Sequence, residues 1–140
     1  MEKQFLLLSI REKFFTLIKE GKKTWEYRKT IPKKTIQGIV FYCTDSKEFC
    51  SVHTPIEVVL GTPKEIATTC LDQPAGADSL LRYYGKNEKV VAYKLKKSRY
   101  LPIGFKSKLE SIQEKAFKGP QGFTYITANH PLNHLLELGL

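Results

Sequence analysis

The chain has 140 residues, a length that fits a single domain built around one hydrophobic core. Apolar residues make up 41% of the sequence and charged residues 26%, a balance that argues against intrinsic disorder. No apolar run has the length needed to cross a bilayer, so we expect no membrane partner.

The chain is strongly basic, with a formal net charge of +9. Lysine pairs spread along the sequence create a positive field that attracts polyanions, most simply the phosphate backbone of nucleic acid. Surface lysines that only improve solubility are the alternative. Three cysteines, an odd number in a sequence without an export signal, predict a cytoplasmic protein with free thiols.

Hydrophobic periodicity predicts a mixture of short strands and short helices. Apolar runs and period-two alternation predict strands at residues 5–10, 24–28, 37–43, 51–60, 89–97 and 123–126. Apolar stripes predict helices at residues 11–20, 63–70, 77–84, 107–117 and 131–138. Pro55 inside the fourth strand predicts an edge or a bulge. Because strands and helices do not alternate regularly, the fold class is α+β, with five to six strands in a curled sheet.

Capping signals mark two helix starts and one helix end. Ser9, with Glu12 three residues later, predicts a capping box at the first helix, and Gly21 suits the left-handed residue that ends it. Thr62 and Glu65 form the same box ahead of the second helix, where a proline at the first helical position strengthens the prediction.

The stretch after the first predicted helix concentrates polar chemistry on a strand. Alternation places Trp25 and Tyr27 on one face, and Glu26 and Arg28 on the other. Lys23 adds an ammonium group at the strand entrance. A Glu–Arg pair on a solvated strand face is ordinary and contributes little to stability. On the wall of a cleft, the same groups form a compact binding site.

The signature of the ASCH domain family, GxKxxExR, resembles the spacing Gly21-x-Lys23-x-x-Glu26-x-Arg28. The order of the surrounding blocks is similar over about residues 5–126. The resemblance implies a PUA-like fold, a pseudo β-barrel with short flanking helices and a cleft lined by the motif. We therefore interpret residues 1–140 as one domain, with residues 129–140 as a C-terminal helical extension.

The resemblance also implies an RNA-related role, namely RNA binding with a link to translation or transcription regulation. The expected ligand is RNA or a nucleotide-like molecule, and single-stranded DNA is a further candidate partner. Six residues are candidates for contact with this ligand: Lys23, Glu26, Arg28, Ser9, Tyr42 and Thr44.

The chemistry of three of these residues suits one extruded nucleotide. Arg28 presents a planar fork of donors for a phosphate or a base edge. Glu26 can accept a hydrogen bond from an exocyclic amine or hold the arginine in place. Lys23 supplies a point charge for a phosphate. Five tyrosines at predicted strand ends or loops can stack on bases or pack at the core rim: Tyr42, Tyr83, Tyr84, Tyr100 and Tyr125.

Two other function classes stay open. One branch of the family removes the acetyl group from N4-acetylcytidine with a lysine, and Lys23 falls at that lysine. A hydrolase of a modified nucleoside, or of RNA, would use Lys23 and Glu26 as catalytic residues, although that branch carries threonine where Glu26 stands. A protein-interaction module, with the charge serving only solubility, is the third reading. The oligomeric state is open.

The sequence predicts neither a metal site nor a cofactor. Cys43, Cys50, His53 and Cys70 are the right residue types for zinc, but their spacing lacks a Cys-x-x-Cys knuckle. Glycines near residues 119–122 lack the lysine and helix of a phosphate-binding loop.

Overall fold

A computed structural model describes residues 4–54, 56–72, 76–96 and 98–137. The strands are β1 (Gln4–Ile10), β2 (Trp25–Arg28), β3 (Ile36–Cys43), β4 (Glu48–His53), β5 (Ile56–Gly61), β6 (Val90–Leu95), β7 (Ser98–Tyr100) and β8 (Phe123–Ile126). The helices are α1 (Glu12–Lys19), α2 (Pro63–Thr69), α3 (Gly76–Tyr84), α4 (Phe105–Gln113) and α5 (Pro131–Glu137).

The strands form two sheets. The larger sheet has the order β7-β4-β3-β1-β8, and the smaller sheet has the order β2-β6-β5. Among the strand pairs that the structure describes, β1–β3 alone is parallel, because α1 and β2 provide the crossover that returns the chain to the same end of the sheet. The other described pairs are antiparallel.

Strand β1, an interior strand of the larger sheet, is buried on both faces, which explains its almost continuous apolar sequence. Phe5 and Leu7 pack on one face with residues of α4 and α5. Leu6 and Leu8 pack on the other face with residues of β6 and α1. A third cluster forms beneath β2, between α2, α3 and β6. The α+β class with short flanking helices is confirmed.

The strand predicted at residues 51–60 is wrong as a single element. The structure divides it into β4, which belongs to the larger sheet, and β5, which belongs to the smaller one. The change of sheet and the unpredicted short strand β7 raise the number of strands in the described residues to eight. Val52, Ile56 and Val58 keep the same period-two phase, so alternation alone shows no break between the two strands. Pro55 lies outside the described residues.

The capping box predicted at Ser9 is wrong. Arg11 is the N-cap of α1 and makes no side-chain capping bond. The Ser9 hydroxyl instead donates to the Pro120 carbonyl at 2.6 Å, while the Ser9 amide donates to the Gly122 carbonyl at 3.0 Å. Ser9 is therefore fixed by the loop before β8 and not by the helix that it was predicted to cap.

The other two capping predictions are confirmed. Gly21 has φ of +75°, the left-handed conformation that glycine adopts without a Cβ penalty. At α2, the Glu65 amide donates to the Thr62 hydroxyl at 3.2 Å, and the Thr62 amide donates to the Glu65 carboxylate at 3.0 Å. Each bond satisfies an amide that the first helical turn leaves unpaired.

The C-terminal helix docks on its own domain. Leu132, Leu135 and Leu136 are buried in the cluster that covers one face of β1. The Arg99 guanidinium donates to the Leu136 carbonyl at 3.1 Å and fixes the end of the helix. In the described ranges, no helix is long and apolar enough to cross a membrane.

Candidate functional site

Strand β2 carries the last two residues of the motif, Glu26 and Arg28, and confirms the predicted division of its faces. Trp25 and Tyr27 pack into the cluster formed with α2, α3 and β6. Glu26 and Arg28 point to the opposite face, where their side chains are 10% and 26% exposed. The pair is therefore largely withdrawn from solvent, unlike an ordinary surface ion pair.

A cleft of about 830 Å³ opens over this face of β2. The side of α1 forms one wall with Phe14 and Leu17, and α3 forms the opposite wall with Ser79 and Tyr83. The full lining is Ser9, Ile10, Arg11, Phe14, Leu17, Lys22, Lys23, Glu26, Tyr27, Arg28, Leu71, Asp72, Gly76, Ser79, Leu80, Tyr83 and Tyr84. Its volume lies in the range of roughly 300–1,000 Å³ that is typical of small-molecule sites.

Glu26 and Arg28 form an ion pair at the floor of the cleft. The Arg28 Nε atom lies 3.4 Å from the Glu26 Oε1 atom. The same Nε atom is buried and has no hydrogen-bond partner in the structure. A buried donor without a partner is costly, because it has lost its hydration without a replacement. The ion pair with the Glu26 carboxylate offsets part of this cost, so the floor of the cleft presents a paired carboxylate and guanidinium.

Lys23 reaches the same cleft from the entrance of β2. Its Nζ atom lies 5.2 Å from the centre of the Tyr27 ring, a cation–π distance. The Lys23 amide donates to the Leu17 carbonyl at 3.1 Å, so the end of α1 holds the lysine backbone. The structure thus brings together all three polar residues of the motif.

Asp72 is a cleft residue that the sequence analysis missed. Its carboxylate accepts two hydrogen bonds from the Thr24 amide, at 3.0 and 2.9 Å, and a third from the Thr24 hydroxyl. The Lys94 ammonium group donates to the same Thr24 hydroxyl oxygen at 3.0 Å. These bonds tie the connection after α2 to the start of β2. No local pattern signals this contact, because its partners are separated by 48 positions.

Two tyrosines hold the cleft wall as neutral hydrogen-bond donors. The Tyr84 hydroxyl donates to the Tyr27 carbonyl at 3.0 Å, and the Tyr27 hydroxyl donates to the Cys70 carbonyl. Burial and the nearby Glu26 carboxylate raise the pKa of Tyr84 to about 12. Burial and the Asp72 carboxylate likewise raise the pKa of Tyr27. Neither phenol is therefore available as a base near neutral pH.

The sequence model of the ASCH domain family matches the chain over residues 8–106. The chain belongs to the ASCH domain family. A search of the curated proteins gave no significant match. Among solved structures, the chain is similar to ASCH from Zymomonas mobilis, with 22% identity, a TM-score of 0.68, and coverage of 98% of this chain and 95% of that one.

Two mutants of the same Zymomonas mobilis protein show the same likeness in fold. A Tyr→Phe mutant gives 21% identity and a TM-score of 0.68, with coverage of 99% of each chain. A Ser→Ala mutant gives 22% identity and a TM-score of 0.67, with coverage of 98% of this chain and 96% of that one. ASCH domains are PUA-like domains that generally bind RNA.

The ASCH domain brings only some of the other predicted residues to the cleft. Ser9 lines it, although the Ser9 hydroxyl is already bonded to Pro120. Tyr42 is buried in the core instead, with its ring 5.2 Å from Phe49 and 5.1 Å from Phe117, because it shares the face of β3 that α4 and α5 cover. Thr44 is exposed just beyond β3, and it does not line the cleft.

The four candidate zinc ligands do not come together as a set in the ASCH domain, although the Cys43 and Cys50 side chains are close enough to interact. Cys70 packs with α2 and α3 beneath β2, whereas His53 lies on β4 with its Nε2 atom 3.0 Å from the Ser51 hydroxyl. Burial lowers the pKa of His53. Within the ranges that the structure describes, no group of three His, Cys, Asp or Glu side chains could hold a metal ion.

Proposed function

We propose that this ASCH domain binds RNA or a nucleotide in the cleft, with Lys23, Glu26 and Arg28 as its polar contacts. The observation that carries the proposal is the Glu26–Arg28 ion pair on the floor of the cleft, whose side chains are 10% and 26% exposed. A ligand that accepts from the guanidinium and donates to the carboxylate would satisfy both groups. Base edges present such donors and acceptors side by side.

The charge of the cleft supports a ligand that carries phosphate. Four cations line it, Arg11, Lys22, Lys23 and Arg28, against two carboxylates. One of these carboxylates, Asp72, is already engaged by the Thr24 amide and hydroxyl. The cleft is therefore net positive, within a chain of net charge +9. Such a field raises the local concentration and association rate of polyanions.

The test is fluorescence-anisotropy binding of a mixed tRNA pool and a single-stranded DNA over a salt series. We expect Arg28→Ala to weaken RNA binding by about tenfold, because one good bidentate contact is worth roughly 1–3 kcal/mol. The control Lys108→Ala removes an exposed cation on α4, outside the cleft. It should weaken the binding of RNA and of single-stranded DNA slightly and to the same extent. Binding that is steep in salt, equal for both polymers and indifferent to Arg28 would contradict the proposal.

Hydrolysis of a modified nucleoside or of RNA is the second candidate, because the Lys23 ammonium group and the Glu26 carboxylate line the same cleft. For N4-acetylcytidine, addition of water across the amide would release cytidine and acetate. Chromatography of nucleosides after incubation tests this reaction. Cytidine formation that is lost in both Lys23→Ala and Glu26→Gln would favour the hydrolase. An unchanged ligand that still binds would favour the binding module.

A further inference from the structure

A second cavity, of about 160 Å³, adjoins the cleft beyond the end of β2. It shares three side chains with the cleft, Arg28, Tyr83 and Tyr84, so the two spaces are neighbours. The residues around it are Arg28, Lys29, Thr30, Tyr83, Tyr84 and Phe123. This volume is below the range of roughly 300–1,000 Å³ that encloses a small molecule. The second cavity therefore suits a group that lies partly in solvent and is joined to something in the cleft.

Tyr83 gives the second cavity an exposed aromatic surface. The residue is 68% exposed, yet its ring is held in position. The Tyr84 ring packs against it in a T-shaped arrangement, with ring centres 4.7 Å apart. The Lys29 Nζ atom lies over the Tyr83 ring at 5.2 Å from its centre. A positioned but solvent-exposed ring is the kind of surface on which unpaired bases stack.

The charge of the second cavity differs from that of the cleft. Arg28 and Lys29 line it, and none of its six lining residues is acidic. The cleft, in contrast, combines cations with the Glu26 carboxylate. A purely cationic and aromatic surface recognises a phosphate and a base face without reading the base edge. The mixed charges of the cleft suit the base edge itself.

We infer that the second cavity is an additional nucleotide subsite, and that the ligand is a single-stranded RNA of at least two consecutive nucleotides. One nucleotide occupies the cleft, the base of its neighbour stacks on Tyr83, and their shared phosphate lies by Arg28 and Lys29. The inference rests on the proposed function, because it takes the cleft as the first nucleotide site. It adds two requirements that the cleft alone does not impose: the ligand has at least two nucleotides, and it is single-stranded.

The experiment compares a fluorescein-labelled pool of random RNA tetranucleotides with an equimolar mixture of the four nucleoside 5′-monophosphates as competitor. We expect Tyr83→Ala to weaken tetranucleotide binding by at least about fivefold, the lower end of base–aromatic stacking. Mononucleotide binding should weaken by a smaller factor, because Tyr83 lines both spaces and the mononucleotide loses no stacked neighbour. Tyr83→Trp keeps a stacking face and should bind the tetranucleotides within twofold of the wild type. Tyr100→Ala, a matched control, removes another exposed tyrosine from β7 outside both spaces.

Three outcomes would overturn the second subsite. In the first, the Tyr83→Ala variant binds both ligands like the wild type. In the second, its affinity for both ligands falls by the same factor. In the third, the wild type binds a short RNA duplex as tightly as the single strands. Lys23→Ala and Glu26→Gln, which change only the cleft, separate this inference from the proposed function. If tetranucleotide binding depends on Tyr83 but not on these two residues, the proposed contacts in the cleft fail and the two-nucleotide ligand fails with them, although Tyr83 still contacts RNA. A wild type that binds neither ligand refutes both.

Discussion

Replacing Glu26 with glutamine removes the negative charge from the cleft floor while nearly keeping the shape of the side chain. At the observed 3.4 Å, the Coulomb energy of the pair is about 5 kcal/mol at an effective dielectric constant of ~20 and about 1 kcal/mol in water. Desolvation of both groups offsets most of this attraction. Because Arg28 retains some contact with solvent, we expect Glu26→Gln to lower the free energy of unfolding by only about 1 kcal/mol.

The effect of Glu26→Gln on binding distinguishes two roles for the carboxylate. If Glu26 accepts a hydrogen bond from the ligand, its loss should weaken mononucleotide binding by roughly tenfold, since a good polar pair with a base is worth about 1–3 kcal/mol. If Glu26 only restrains Arg28, its removal frees the guanidinium and strengthens binding of any phosphate. The assay is competition of the four nucleoside 5′-monophosphates, and separately of inorganic phosphate, against labelled RNA.

The control for this experiment is Glu57→Gln, which removes the same charge from an exposed ion pair. The Glu57 carboxylate lies 3.2 Å from the Lys96 ammonium group, and about half of each side chain is exposed. We expect a change in unfolding free energy below about 0.5 kcal/mol and little change in nucleotide affinity. Mononucleotide affinity that rises in Glu26→Gln, or stays at that of the Glu57→Gln control, would refute the assignment of Glu26 as a ligand contact.

Two further predictions concern stability. Gly119→Ala should lower the free energy of unfolding by about 1–3 kcal/mol in urea titrations, because its Cβ would lie 2.5 Å from the buried Tyr42 ring. A Cβ at Gly61 would lie 3.3 Å from its nearest neighbour atom, so Gly61→Ala should lower the free energy of unfolding by less. Equal losses in the two variants would contradict this reasoning. Because burial lowers the pKa of His53, its contribution to stability is complete above about pH 6.5 and is lost on acidification, when the unfolded chain binds the proton more readily. His53→Gln should therefore flatten the urea-midpoint profile between pH 7.5 and 5, and an unchanged slope would refute this assignment.

Local signals in the sequence predicted the elements whose periodicity is uninterrupted. The strand β2 and the division of its faces follow from alternation over four residues, and Gly21 follows from the conformation that ends α1. Ser9 has the correct spacing for a capping box, but its hydroxyl donates to the Pro120 carbonyl, 111 positions away. A capping pattern competes with tertiary partners that local sequence does not contain.

Tertiary placement also decided which predicted site residues reach the cleft. Tyr42 is polar and aromatic, properties that suit either a binding site or a core rim. Its position on a central strand set the outcome, since one face of β3 is covered by α4 and α5 and the other by the smaller sheet and α1. The sequence predicted the strand, but it could not indicate which face of that strand would meet the cleft.

The cleft itself arises from segments that are distant in sequence, and this explains why the motif alone understates the site. Strand β2 supplies the ion pair, but the connection after α2 positions its first residues through Asp72. Helix α3 then adds Tyr84, whose hydroxyl donates to the Tyr27 carbonyl. The same helix carries the exposed Tyr83, whose ring contacts that of Tyr84. A ligand that reached only the motif would leave this wall unused. The arrangement of charge at the floor and aromatic surface at the rim is therefore best matched by a ligand that extends from one to the other.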